Sequence, residues 1–152
     1  MEFKSNVNRE CILLLEENTK TEALIKLAAT AASVAGVTDR ERLIKEIFYR
    51  EQLMSTGIGL GIAIPHVRFD EIQKPLIAVG VQPAGIPDYT SIDDQPVKII
   101  IMILMGAKQH KEYVRLLAQI VTFLKTEGVI DRIIAADSVD AVFDIFTGNA
   151  HE

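Results

Sequence analysis

The run VKIIIMILM, residues 97–105, is the strongest strand signal in the sequence and predicts the fold class. Apart from Lys98 it is apolar, and most of its residues are branched at Cβ, which favours an extended strand. Apolar and polar residues do not alternate along the run, so neither face of the strand is expected to meet water. We therefore predict a central strand in a sheet with helices on both faces, an α/β fold.

Two capping-box patterns, each a threonine followed three residues later by a glutamate, predict helices in the first third of the chain. Each precedes apolar residues at helical spacing. The first helix is expected over about 20–35, ending before Gly36, and the second from Thr38 to about Met54. The two boxes are Thr19 with Glu22 and Thr38 with Glu41.

The second half of the chain supplies further strands and helices. A third helix is expected to begin near His110, and a last one near Asp137 or Ser138 that ends at Gly148. No internal repeat or linker-like stretch divides the sequence, so residues 1–152 are expected to form one domain. The other strand candidates are PLIAVGVQ (75–82) and, more weakly, CILLL (11–15) and GIAI (61–64).

Charge, cysteine content and hydropathy exclude several classes of function. The formal net charge is −5, and Lys and Arg never cluster beyond two neighbours, so no nucleic-acid partner is expected. Cys11 is the single cysteine, which excludes an internal disulfide and fits a reducing compartment. No window approaches the roughly 18 apolar residues of a membrane helix. We therefore expect a cytoplasmic protein without direct membrane insertion.

STGIGLGIAIPHVRFD, residues 55–70, places glycines at alternate positions before Pro65 and His66. Glycine admits backbone conformations that are closed to other residues, whereas proline fixes its own φ. This arrangement suits the presentation of the His66 imidazole to a partner, with nearby backbone N–H groups facing an anion. The alternative interpretation is that His66 is a turn residue leaving a strand.

Arg50 and His110 are the other candidate site residues. Arg50 lies near the end of the second predicted helix, and its planar guanidinium suits phosphate. Alternatively, the helix frays there, and Arg50 and Glu51 point to water. His110 follows the central strand at a strand end where α/β sheets bind ligands, or it packs at the edge of the core. No metal-ligand spacing or nucleotide motif occurs, so neither metal nor cofactor is expected, and phosphoryl transfer on histidine is the economical hypothesis.

Arg50 and Glu51, followed by STGIGLGIAIPH up to His66, resemble the signature of the enzyme IIA domains of the bacterial sugar phosphotransferase system, fructose/mannitol type. IDDQPVKIIIMIL (92–104) and HKEYVRLLAQI (110–120) resemble further segments of that family, so the resemblance extends over nearly the whole chain. It implies that residues 1–152 form one such domain, with a mixed, mostly parallel sheet flanked by helices.

The resemblance also implies roles for the three candidate residues. His66 would accept a phosphoryl group from the histidine phosphocarrier protein and pass it to a IIB component on a separate polypeptide. Arg50 and His110 would stabilise and orient the phosphorylated imidazole. A regulatory binding module, similar to the nitrogen-related IIA proteins, would use the same site, and the sequence does not separate these two functions.

A carrier must dock on other proteins, so the surface around His66 is expected to be partly apolar. A short loop cannot bury every apolar residue that flanks the histidine, and some of them should therefore form an exposed patch. The four candidates are Ile58, Leu60, Val67 and Phe69.

Overall fold

A computed structural model describes residues 2–53 and 57–148, which form a six-stranded sheet with helices on both faces. The strands are β1 Val7–Leu14, β2 Gly57–Gly59, β3 Ile62–Ala63, β4 His66–Arg68, β5 Leu76–Thr90 and β6 Pro96–Met105. The helices are α1 Lys20–Ala35, α2 Arg40–Leu53, α3 His110–Leu124, α4 Val129–Ala135 and α5 Val139–Thr147, preceded by a 3₁₀ turn over Glu2–Asn6. Within the described ranges, no helix combines the length and apolar character needed to cross a bilayer.

The sheet is mixed. Its strand order is β1-β5-β6-β3-β2, and β4 pairs with β6 as well. β1 is parallel to β5, and both β3 and β4 are parallel to β6, whereas the β5–β6 and β2–β3 pairs are antiparallel. The predicted α/β fold with a mixed, mostly parallel sheet is therefore confirmed, although the long β5–β6 pairing is antiparallel.

β6 is the central strand that its apolar run predicts. Ile100, Met102 and Leu104 belong to the buried cluster that contains the inner faces of α1 and α2. Ile101 and Ile103 point the other way, into the cluster formed with α3, α4 and α5. Successive side chains of a strand alternate between its faces, so an unbroken apolar run is what a strand covered on both sides requires.

The first predicted helix is confirmed with both of its ends. α1 begins after Thr19, whose hydroxyl accepts a hydrogen bond from the backbone N–H of Glu22 at 3.2 Å. It ends at Gly36, which adopts the left-handed conformation with φ of 75°. A side chain bearing Cβ would be strained at that φ, which explains why glycine stands there.

The second predicted helix exists, but the prediction that Thr38 caps it is wrong. α2 begins at Arg40, and the cap is Asp39, whose carboxylate accepts from the backbone N–H of Arg42 at 3.2 Å. Thr38 instead donates its backbone N–H and its hydroxyl to the Glu71 carboxylate, both at 2.8 Å. Aspartate caps a helix as well as threonine does, and Asp39 stands one residue after Thr38. The Thr38 hydroxyl and N–H are already hydrogen-bonded to Glu71, which is distant in sequence. The predicted end near Met54 lies outside the described residues.

The last third of the chain contains one helix more than the sequence predicts. α3 and α5 begin and end close to the expected positions, and Ser138 caps α5 by accepting from the backbone N–H of Ala141 at 3.0 Å. α4 is the unexpected one. Its N-cap is Gly128, which has no side chain to signal a helix start. CILLL and GIAI, the weaker strand candidates, contribute to β1 and β3.

Candidate functional site

His66 is the first residue of β4, at the end of the sheet where β6 runs towards α3. Its register partner on β6 is Ile103, and the Ile103 N–H donates to the Pro65 carbonyl at 2.9 Å. Val67 is fully buried in the α1–α2 cluster, so the alternation of the strand directs His66 to the opposite face, towards α3. The histidine is half-buried and begins a strand, in contrast to the alternative in which it leaves one.

The glycines before His66 form a tight turn between β2 and β3. Gly59, Leu60 and Gly61 all have positive φ, at 98°, 59° and 73°. A Cβ added to Gly61 would lie 3.0 Å from the backbone oxygen of Pro96. Glycine is needed here both for the backbone conformation and for the close approach of the chain to β6.

Two backbone N–H groups of this turn bond to side chains of the protein itself. The Leu60 N–H donates to the Asp93 carboxylate at 3.0 Å, and the Gly61 N–H donates to the Ser91 hydroxyl at 3.2 Å. Hydrogen bonds from Ser91 and from the Leu60 N–H keep the pKa of Asp93 below its usual value. These donors are therefore satisfied within the chain, by residues 30 or more positions away.

Of the four residues predicted to contribute to an apolar patch around His66, two are buried and one is exposed. Val67 and Phe69 are buried in the core, at 0% and 2% exposure. Leu60 is 64% exposed, but it lies near the N-terminal end of β6. Its neighbour Gly61 is bonded there, because the Gly61 carbonyl accepts from the Lys98 N–H. His66 pairs with Ile103, which lies four to five residues further along β6. At the rise per residue of a strand, Leu60 and His66 are therefore about 15 Å apart along β6. The side chain of Ile58 lies outside the described residues.

Tyr113, in the first turn of α3, contacts His66. The two rings stack with centroids 4.4 Å apart and an interplanar angle of 25°. The Tyr113 hydroxyl lies 3.3 Å from His66 Nδ1. Tyr113 belongs to the apolar stripe of α3 that packs against the core, and the sequence analysis does not identify it as a site residue. Its position one turn after a histidine that follows the central strand was the available signal.

His110 is exposed and is the first residue of α3. Its ring is tilted by 40° to that of Tyr113, with centroids 6.4 Å apart. Tyr113 therefore contacts both imidazoles. The loop before α3 is fixed by Gln109, whose side-chain oxygen accepts from the Gly106 N–H at 2.6 Å and whose amide donates to the Gln73 carbonyl at 3.0 Å.

Arg50 lies in the last turn of α2 and is half-buried. The next residue, Glu51, is 6% exposed and accepts from the Tyr89 hydroxyl at 3.1 Å, with Lys20 Nζ at 3.4 Å from the same oxygen. The alternative in which this helix frays and both residues point to water is wrong, because Glu51 is held inside the protein. Its attachment fixes the helix end that carries Arg50.

A model of the family described as phosphoenolpyruvate-dependent sugar phosphotransferase system, EIIA 2, matches residues 5–149. The chain belongs to this family. The predicted resemblance is therefore confirmed over almost its full length.

Relatives of this EIIA domain include sugar-specific EIIA components and nitrogen regulatory proteins. The fructose-specific EIIA component of Haloferax volcanii is 32% identical over 136 residues, with 88% of each chain covered. The nitrogen regulatory protein of Pseudomonas aeruginosa is 32% identical over 127 residues, which cover 84% of this chain and 82% of that one. The solved complex of enzyme IIAMTL and phosphorylated enzyme IIBMTL from Escherichia coli shares the fold, with a TM-score of 0.77 at 23% identity over 93% of this chain and 96% of that one.

Burial lowers the pKa of His66 in this EIIA domain below its ordinary value of 6.5, and the positive charge of Arg50 lowers it further. Arg68 acts in the same direction, whereas hydrogen bonding to the Ile64 backbone and the Glu51 carboxylate oppose the shift. Above this lowered pKa the imidazole is neutral and one ring nitrogen has a free lone pair. The environment therefore keeps a nucleophilic form of His66 at neutral pH.

We expect His66 to titrate below pH 6.5 when its imidazole resonances are followed by NMR. Arg50→Gln should raise the midpoint, because it removes a positive charge that disfavours the imidazolium. Arg42→Gln, on the same helix but with its guanidinium bonded to Asp70 at 2.8 Å, is the matched control and should leave the midpoint nearly unchanged. A wild-type midpoint at or above 6.5, or a lower one in Arg50→Gln, would contradict the assignment.

Proposed function

We propose that this EIIA domain carries a phosphoryl group on His66, taken from the histidine phosphocarrier protein and passed to a separate IIB component. The observation that carries the proposal is the setting of His66, a half-buried imidazole whose pKa is lowered by burial and by the Arg50 charge. Membership of the EIIA family supports a phosphotransfer role. The IIB partner is supported by the structural neighbour, which is a complex with phosphorylated IIB.

Nε2 is the attacking nitrogen in this proposal, because Nδ1 is directed at the Tyr113 hydroxyl. The Nε2 lone pair forms a bond to the phosphorus of the carrier's phosphohistidine. The phosphorus–nitrogen bond to the carrier breaks, and its electron pair returns to the carrier imidazole. The proton on His66 Nδ1 stays in place. Transfer to IIB repeats the displacement, with a nucleophile of IIB attacking the phosphorus and His66 Nε2 leaving.

Arg50 and His110 have separate roles in this scheme. Phosphorylation brings nearly two negative charges to the His66 ring, and the permanently charged guanidinium of Arg50 compensates them from the end of α2. His110 is exposed beside Tyr113 and offers a ring N–H to the phosphoryl oxygens or to the docked partner. Neither role requires a metal or a cofactor.

A regulatory function is the second candidate, and it uses the same histidine. The observation that favours it is the 32% identity with the nitrogen regulatory protein of Pseudomonas aeruginosa, which equals the identity with the fructose-specific component. In this alternative, phosphorylation of His66 controls the association of the domain with a target. Both functions place the protein in the cytoplasm, where the phosphocarrier acts.

The test is a reconstituted relay. Purified protein is mixed with phosphoenolpyruvate, enzyme I and the phosphocarrier, and its intact mass is measured before and after a fructose- or mannitol-type IIB is added. We expect one phosphoryl group, labile to acid and stable to alkali, which IIB then removes. Retention of the group in the presence of a series of IIB proteins would favour the regulatory function. Failure to gain it from a compatible carrier would refute both.

A further inference from the structure

Tyr113 makes two contacts with His66 that act on different properties of the imidazole. The ring stack, with centroids 4.4 Å apart, restricts rotation of the His66 side chain. The hydroxyl lies 3.3 Å from Nδ1, so its hydrogen bond affects which ring nitrogen carries the proton. Burial raises the pKa of Tyr113, so its phenol stays protonated and uncharged at neutral pH. A neutral phenol oxygen can accept a hydrogen bond as well as donate one.

The direction of this hydrogen bond determines which nitrogen of His66 is the nucleophile. A neutral imidazole has one N–H, and the hydrogen bond made by one nitrogen sets the state of the other. If the phenol donated to Nδ1, the ring proton would sit on Nε2 and block its lone pair. If the phenol accepts from Nδ1–H, Nε2 is unprotonated and keeps its lone pair for an incoming phosphoryl group. The Ile64 backbone, which also hydrogen-bonds to the ring, then shares the Nδ1 proton with the phenol oxygen.

We propose that Tyr113 is a positioning residue for His66, accepting a hydrogen bond from Nδ1–H and so holding Nε2 unprotonated for phosphoryl transfer. The inference rests on the proposed function. After transfer, the phosphorylated ring keeps its Nδ1 proton and gains positive character, which strengthens the hydrogen bond to the phenol oxygen. The orienting role that the sequence resemblance assigns to His110 thus belongs to Tyr113, while the His110 ring lies 6.4 Å, between centroids, from the tyrosine ring.

Tyr113→Phe is the informative variant, because it keeps a ring that can stack and removes only the oxygen. The His66 tautomer is measured by ¹⁵N NMR on the unphosphorylated protein well above its pKa, and acceptance is measured by rapid quench with the phosphorylated carrier. We expect the wild type to hold the Nδ1–H form and the variant to shift towards Nε2–H. Acceptance should fall about two- to tenfold, as for the loss of one hydrogen bond.

Two further variants separate this role from a structural one. Tyr49→Phe removes the phenol of an exposed tyrosine on α2 and should change neither measurement. His110→Ala removes the other imidazole that contacts Tyr113 and should leave the His66 tautomer as in the wild type. Thermal unfolding checks that each variant is folded.

An Nε2–H tautomer in the wild type would overturn the inference. An unchanged tautomer or an unchanged acceptance rate in Tyr113→Phe would overturn it as well. Because the NMR measurement needs no phosphoryl donor, it tests the Tyr113–His66 hydrogen bond even if the wild-type protein accepts no phosphate. That last result would refute the proposed function and not the hydrogen bond.

Discussion

Replacing His66 by glutamine should abolish phosphoryl acceptance and leave the fold intact. The glutamine amide nitrogen has no available lone pair, because the lone pair is delocalised into the carbonyl, so it cannot attack phosphorus. Glutamine is polar and of comparable length, and the position is half-buried at the first residue of a three-residue strand. The substitution therefore removes the nucleophile without leaving a large cavity, and we expect only a small change in stability.

Intact-mass measurement after incubation with the carrier system reports this result directly. Wild-type protein should gain one phosphoryl group and His66→Gln none, even at long times and high carrier concentrations. The matched control is His110→Gln, the same exchange at the exposed histidine that also contacts Tyr113, which should still be labelled. Equal labelling of wild type and His66→Gln would show that the phosphoryl group resides elsewhere.

Arg50→Gln should slow phosphoryl transfer by about 10²- to 10³-fold, the usual effect of removing one positioned group that stabilises developing charge. The phosphoryl group is negatively charged throughout its passage between two imidazoles, and Arg50 is the cation whose field reaches both His66 and Tyr113. The same variant also loses a favourable interaction of a cation with the C-terminus of α2, which contributes about 0.3–1 kcal/mol. We therefore expect a large kinetic effect with a small loss of stability.

Single-turnover kinetics with phosphorylated carrier distinguish these effects. Arg42→Gln removes an identical charge from the same helix, where it is exposed and paired with Asp39 and Asp70, and it should retain nearly wild-type rates. If both variants slow transfer equally, net charge governs docking and Arg50 has no special place at the site. Wild-type rates in Arg50→Gln would remove it from the mechanism altogether.

The sheet and most helices could be predicted because their signals are local. An apolar run without alternation specifies a strand covered on both faces, and β6 is buried in both core clusters. Caps such as Thr19 and Ser138 act within three residues of their own position, so they are visible in the sequence. α4 was missed because its N-cap is Gly128, which has no capping side chain.

The site could be predicted only in part because its contacts are distant in sequence. His66 and Tyr113 are 47 positions apart, and the helical stripe that includes Tyr113 does not indicate which strand it faces. Leu60 and Asp93 are 33 positions apart, so the sequence could not show that a carboxylate already satisfies the N–H group of the glycine turn. A local pattern identifies residue types suited to a reaction, whereas their partners depend on the assembled sheet.

The buried carboxylate of Glu51 has a consequence for how this protein can vary in evolution. Its partners, Lys20 at the start of α1 and Tyr89 near the end of β5, come from separate parts of the chain and also contact each other, with Lys20 Nζ 4.7 Å from the tyrosine ring centroid. Loss of one partner leaves a buried charge poorly compensated, whereas replacing all three residues with well-packed apolar side chains of similar volume can be neutral. We therefore expect the residues at these three positions to be substituted together during evolution. A lineage that exchanges one of them must exchange the others or give up the fixed helix end on which Arg50 stands.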